Sequence, residues 1–187
     1  MIKQEVDKLY SRFKEKAEGV SAQVYRVATV QDVNGLLVRL LGELGSKKVV
    51  ISHSSLSREC QLDDALASGG FEVYTSDLRR EAPTADAGIS QLDLAVAETG
   101  SLAQDATNVD SRLVSTLPLI HVALVPTSGL SSTLEDALFS LYSSGRVPGY
   151  VSFITGPSRT SDIERVLTIG VHGPEKLFIV FVDQGGQ

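Results

Sequence analysis

Apolar residues recur along this chain with two periods, and the alternation between them sketches the fold. Ile2, Val6, Leu9, Tyr10, Phe13 and Ala17 repeat at helical spacing and predict an amphipathic first helix that stops at Gly19. A short strand is expected at Val24–Ala28. Val33, Leu36, Leu37, Leu40, Leu41 and Leu44 then mark a second helix that ends at Gly45. Val49-Val50-Ile51 reads as a buried strand, Leu62–Ala67 as a short helix closed by Gly69-Gly70, and Phe71–Tyr74 as the next strand. The order helix, strand, helix, strand, helix, strand predicts a parallel sheet with helices packed on its faces. Thr75–Ala87, which holds Pro83 and several charges, is expected to be a surface connection.

The second half is richer in strands. Leu92–Ala97, Leu119–Val125, Tyr150–Ile154 and Leu177–Val182 are the candidates. The last is apolar at every position, as a strand covered on both faces requires. Glu98-Thr99-Gly100 leads into Ser101–Gln104 with too few residues for a parallel crossover, so neighbouring pairing there must be antiparallel. The expected class is therefore α/β, with a mixed, mainly parallel sheet flanked by helices. Ser132 with Glu135 forms a capping-box pattern for a helix with Leu134, Leu138, Leu141 and Tyr142 inward and Gly145 after its end. Ser161 with Glu164 forms another.

Length and composition narrow the reading. A chain of 187 residues fits one domain, residues 1–187 with the helix 1–18 packed on it, and a domain of that size buries roughly 70% of its unfolded surface. A net charge of −6 with scattered basic residues argues against nucleic acid, whose binding needs clustered cations. No apolar run approaches a membrane span and the N-terminus lacks a signal-peptide core, so a cytoplasmic protein is expected. The lone Cys60 excludes an intrachain disulfide or an iron–sulfur cluster held by this chain's own thiolates. The isolated His53, His121 and His172 argue against a zinc site, and no metal is expected.

Candidate chemistry sits in polar loops after strands, where open α/β sheets usually hold ligands. Thr155-Gly156-Pro157-Ser158-Arg159-Thr160 follows an apolar run and precedes a helix start, an arrangement suited to an anion. The plainer reading of the same residues is a capped helix with a surface arginine. Glu98 ends an apolar strand before Gly100, where partial desolvation would suit a nucleophile or general base, although composition favours a structural turn or salt-bridge partner. Asn108 and Arg112 could donate to a carboxylate ligand, or Arg112 could neutralise Asp105 or Asp110. His172, between glycines, allows close approach of a ligand, whereas His121 inside an apolar strand reads as structural. His53-Ser54-Ser55 is a further polar loop without the glycine-flanked elbow of a serine hydrolase.

Several blocks are familiar together. Ala97-Glu98-Thr99-Gly100, Asn108 with Arg112-Leu113, Leu117-Pro118 with His121, and Glu135-Asp136-Ala137 are followed by Thr155–Thr160 with Asp162-Ile163-Glu164, and by Gly170-Val171-His172-Gly173-Pro174. In this order they resemble the LUD-domain family over about Ala85–Asp183. The resemblance implies a fold similar to sugar-phosphate isomerases and CoA transferases, with an added β-rich portion. It also implies a role in oxidising L-lactate to pyruvate with two iron–sulfur partner proteins, any clusters being held by those partners. Implied ligand-binding residues are Thr99, Gly100, Asn108, Arg112, Thr155, Gly156, Ser158, Arg159 and Thr160, around a small organic acid or phosphate-type ligand. Glu98 and His172 are the catalytic candidates. Glu98-Thr99-Gly100 is similar to the Glu-Asn-Gly setting of the CoA transferases, with Thr99 in place of Asn. A transferase or isomerase acting by itself, and a non-catalytic scaffold, are the alternatives.

Overall fold

The computed structural model describes residues 3–143, 148–160, 168–170 and 172–183. The chain opens with α1 (Lys3–Gly19), β1 (Gln23–Val27), α2 (Val30–Glu43) and β2 (Lys48–Ile51). It continues through α3 (Ser55–Glu59), α4 (Leu62–Ser68), β3 (Glu72–Tyr74), α5 (Leu78–Glu81) and β4 (Ala87–Gln91). Then come β5 (Leu94–Val96), β6 (Ser101–Asp105), α6 (Val109–Thr116), β7 (Ile120–Pro126) and β8 (Leu130–Ser131). The remainder is α7 (Leu134–Ser143), β9 (Val151–Ile154), β10 (Arg159–Thr160), β11 (Thr168–Ile169) and β12 (Lys176–Val182).

Six strands form the main sheet in the order β1-β12-β7-β4-β2-β3, and every neighbouring pair is parallel. A second, four-stranded sheet, β8-β5-β6-β9, contains the antiparallel pairs. The single mixed sheet expected from the sequence is thus two sheets. The antiparallel return after Gly100 is present, with Leu94 opposite Ala103 and Val96 opposite Ser101. A two-stranded ribbon joins β10 to β11.

β12 lies between β1 and β7, and its two faces enter different cores. Phe178, Val180 and Val182 pack with Leu37 and Leu41 of α2 and with Leu62 and Leu66 of α4. Leu177, Ile179 and Phe181 pack with Phe13 and Ala17 of α1 and with Ala95, Leu102 and Leu130 of the second sheet. The two-residue period of a strand sends alternate side chains to opposite faces, so a strand covered on both sides is apolar throughout. The outer face of the second sheet is closed by α7 through Ala137 and Leu141 against Leu94, Val96 and Ala103.

Four sequence expectations are corrected. Thr75–Ala87 is not a plain surface connection, because it contains α5 with buried Leu78, Ala82 and Ala85 and runs into β4. The expected strand Leu92–Ala97 is a junction, with β4 ending at Gln91 in the main sheet and β5 beginning at Leu94 in the second. The cap of α7 is Thr133 with Asp136, not Ser132 with Glu135: the Asp136 N–H donates to Thr133 Oγ1 at 3.1 Å and the Thr133 N–H to Asp136 Oδ2 at 3.3 Å. Leu134 and Tyr142 are exposed instead of inward. The proposed cap at Ser161 and Glu164, and the stop at Gly145, lie outside the described residues. Among the described residues no helix is long and apolar enough to cross a membrane.

Candidate functional site

Three segments distant in sequence meet in a recess of about 500 Å³ between the two sheets, at the amino-terminal ends of β7 and β12. The last turn of α6 supplies Arg112, Ser115 and Thr116. β9 and its exit supply Phe153 and Ile154, followed by Thr155, Gly156 and Ser158. His172, Gly173 and Pro174, just before β12, form the third wall.

Local chemistry sets each wall. α6 begins at Asn108, whose Oδ1 accepts the Asp110 N–H at 2.9 Å. That bond is an N-terminal cap, and it commits the Asn108 side chain to its own helix. Ser158 knits the second wall to the third: its N–H donates to Pro174 O at 2.8 Å, and its own carbonyl accepts the Gly170 N–H at 3.0 Å. Thr155 Oγ1 lies 2.7 Å from Ser101 Oγ of β6. Gly156 has a φ of +74°, and a Cβ there would lie 2.6 Å from Val20 O, so both backbone conformation and close packing require glycine.

Among the described lining residues Arg112 is the one arginine or lysine, and its guanidinium carbon sits 5.3 Å from the Tyr150 ring centroid. A guanidinium held over an aromatic face by the ring quadrupole keeps the N–H groups in its own plane for other acceptors. Among the described residues it makes no ion pair, so the expected alternative pairing with Asp105 or Asp110 is not formed. Such a group can take a carboxylate in a two-pronged contact.

The other sequence candidates lie elsewhere. Arg159 turns away from the recess, and its Nη2 donates to Val20 O at 2.9 Å and to Ser21 Oγ at 2.7 Å. Thr160 follows it on β10. Glu98 is exposed, not desolvated, and its Oε2 accepts the Leu134 N–H at 3.3 Å at the start of α7. A carboxylate at a helix N-terminus is favoured by the helix dipole. Thr99 is exposed beside it. Gly100 has a φ of +68° and lies under α1, where a Cβ would come within 2.5 Å of the Ala17 nitrogen. The structure therefore brings Arg112, Thr155, Gly156, Ser158 and His172 together, and leaves Glu98, Thr99, Gly100, Asn108 and Arg159 outside that lining.

Sequence reasoning missed Ser115, Phe153 and Pro174. Phe153 borders the recess from β9, but it pairs with Ala103, so its ring, 43% exposed, lies on the α7 side of the second sheet. Behind Ser115 lies a buried polar layer. Ser115 Oγ is 3.5 Å from Gln104 Oε1, and Gln104 Nε2 has no partner among the described residues. His121, also enclosed, holds Ser90 Oγ at 2.8 Å through Nε2, and burial pushes its pKa down to about 4, so it is neutral at pH 7.

A smaller polar recess of about 230 Å³ lies at the carboxyl ends of β2 and β4, with His53, Ser54, Ser55 and Asp93 in its lining. Ser54 caps α3 there, its Oγ accepting the Ser57 N–H at 3.0 Å. Among the described residues no group of three or more His, Cys, Asp or Glu side chains is placed to hold a metal ion. Cys60 is buried, and burial pushes its thiol up to about 11, away from thiolate chemistry at neutral pH.

Comparison with known proteins adds to this geometry. The LUD domain family model matches residues 10–182. Lactate utilization protein C of Shouchella clausii strain KSM-K16 is 30% identical over 184 residues, covering 95% of this chain and 80% of that protein. Lactate utilization protein C 1 of Bacillus mycoides strain KBAB4 is 29% identical over 188 residues with the same coverage. Among solved structures, a DUF162 family protein from Deinococcus radiodurans superposes with a TM-score of 0.70 over 95% of this chain and 98% of that one. At 18% identity that likeness shows the fold alone.

Proposed function

Because the chain belongs to the LUD-domain family, and within it is similar to lactate utilization protein C, we propose that it serves lactate utilisation as an organic-acid-binding subunit. In this proposal iron–sulfur partner proteins carry the electrons when L-lactate becomes pyruvate. This sequence has one cysteine, so cluster thiolates must come from elsewhere. The same reading has the protein acting in the cytoplasm. The parallel sheet with helices on both faces and an added antiparallel sheet supports a fold like that of the sugar-phosphate isomerases and CoA transferases.

The observation that carries the proposal is the convergence of Arg112, Ser158 and His172 on one recess. A lactate or pyruvate carboxylate accepts paired N–H donors from Arg112. The 2-hydroxyl or 2-oxo group then faces the hydroxyl of Ser158 and the exposed imidazole of His172. Removing an α-hydroxy acid's two electrons also releases protons, and an exposed imidazole beside the 2-hydroxyl is placed to receive one. Arg112 takes precedence over Arg159 as the anchor because Val20 O and Ser21 Oγ already occupy the Arg159 guanidinium.

Calorimetric titration of the purified chain with L-lactate and with pyruvate tests this. Arg112→Gln is expected to weaken binding at least tenfold, about 1.4 kcal/mol. Unchanged affinity in a variant that is folded would remove the recess from acid binding.

A further inference from the structure

β2 and β4 are parallel neighbours, and the chain leaves their carboxyl ends toward opposite faces of the sheet. After β2 it enters α3 and α4, whose Leu56, Leu62 and Leu66 pack with α2. After β4 it passes through Leu92 into the second sheet, in the cluster on the other face. Neighbouring strands whose exits diverge leave a crevice beyond their carboxyl ends, the usual place for a ligand in an open α/β sheet. Here that crevice is the polar recess of about 230 Å³ bordered by Ser52, Gln91, Asp93, Asp105 and Ser111. We propose that it binds a small neutral ligand with two adjacent hydroxyl groups, a vicinal diol of the polyol type.

Ser52 is 3% exposed, and among the described residues its hydroxyl has no hydrogen-bond partner. Its N–H donates to Ile89 O at 3.0 Å and so extends the ladder of β2 by one residue. By the two-residue period its side chain shares the face of Val50, which lies in one buried cluster with Val114 of α6. Ser111, one turn earlier on α6, borders the recess with Ser52, so the Ser52 hydroxyl is aimed into it. A buried hydroxyl is ordinarily hydrogen-bonded, and a hydroxyl of the ligand supplies the partner.

The groups around Ser52 are fixed in orientation by the fold. Gln91 Oε1 accepts the Leu56 N–H at 2.9 Å and the Ser55 hydroxyl at 3.1 Å, which leaves the Nε2 protons for a ligand oxygen. Asp93 Oδ2 accepts the Asp105 N–H at 2.8 Å, and Asp105 Oδ1 accepts the Thr107 N–H at 2.9 Å. The second oxygen of each carboxylate remains an acceptor. An amide donor, two carboxylate acceptors and a hydroxyl that does both match a pair of hydroxyls, each of which donates once and also accepts. An anion is disfavoured, because the carboxylates repel it and the Leu56 and Ser57 amides that open α3 are already held by Gln91 and Ser54. Among the described residues no three acidic, His or Cys side chains are placed to hold a metal ion there instead.

The test titrates 1,4-anhydroerythritol, a neutral ring carrying a cis-diol, into the wild-type chain and follows amide chemical shifts. Saturable shifts at Ser52, Gln91 and Ser111 are expected, and 3-hydroxytetrahydrofuran, which lacks one hydroxyl, should bind about tenfold more weakly. D-Glycerate and ethanolamine, the anionic and cationic comparisons, should both bind more weakly than the diol. Asp93→Asn keeps an oxygen for the Asp105 N–H but replaces the second oxygen with a donor, and should weaken the diol about tenfold. Ser52→Ala should weaken it too while leaving the urea midpoint unchanged, since the hydroxyl has no partner in the described fold. A lowered midpoint with unaltered diol affinity would show that Ser52 serves the fold and overturns the proposal. Equal affinity for the two ring compounds, tighter binding of D-glycerate or ethanolamine at these amides, or no saturable shift with the diol overturns it as well. Lactate binding stands or falls separately, because the Arg112 recess lies at the amino-terminal ends of β7 and β12.

Discussion

On β7 the His121 imidazole is 1% exposed, and enclosure lowers its pKa from the ordinary 6.5 to about 4. The unfolded chain takes up a proton at this residue near pH 6.5 and the folded chain does not, so between pH 6.5 and about 4 the unfolded state binds more protons. This residue's contribution to stability is therefore fully present above pH 6.5, falls with a one-proton slope as pH drops, and levels below about 4. Urea midpoints measured across that window should fall less steeply for His121→Gln than for the wild type, and equal slopes would show that His121 does not titrate this way. The contrast between Arg112 and Arg159 belongs to the same scale. Both are arginines in polar stretches, and nothing local separates them. The partners that engage Arg159 are 138 and 139 residues away in sequence, so its engagement with them was invisible until the chain folded.

Strands and helices were legible where burial imposes a period. β12 is apolar throughout because α2 covers one face and α1 with the second sheet covers the other, and α2 shows its inward stripe from Val33 to Leu41. β4 was not legible, since Gly88 and Ser90 interrupt its apolar pattern. Each has a tertiary cause: Ser90 Oγ meets His121 Nε2, and Gly88 admits the backbone of α6. A Cβ at Gly88 would lie 2.1 Å from Val114 O. Gly88→Ala is thus expected to displace α6 and to destabilise by about 1–3 kcal/mol, in the range of overpacked cores. Chemical denaturation checks this, and a loss below about 0.5 kcal/mol, within the range of an ordinary surface change, would show that α6 yields freely. The one-residue shift of the α7 cap has the same kind of origin. Ser131 and Ser132 are drawn into extended pairing by the Ala97 and Glu98 N–H groups, which donate to their carbonyls, and the helix cannot begin before Thr133.

At the scale of the molecule, the second sheet is not an appendage. Leu92, Ala95, Leu102 and Leu130 share one buried cluster with Phe13 of α1 and with Ile179 and Phe181 of the main sheet. A shared core predicts one cooperative transition, so urea unfolding followed by far-UV ellipticity and by tyrosine fluorescence should coincide. Two separated midpoints would mean that the sheets unfold independently. The sequence by itself determined the amphipathic helices, the buried strands, the antiparallel return after Gly100 and the family blocks, because burial period, short connections and local motifs are written between near neighbours. Only the tertiary structure decided that there are two sheets, that Arg112 and not Arg159 faces the recess, and that Ser115 and Pro174 stand beside it. Those outcomes depend on which distant segments pack together, and packing is a property of the whole chain's contacts, absent from any one segment of it.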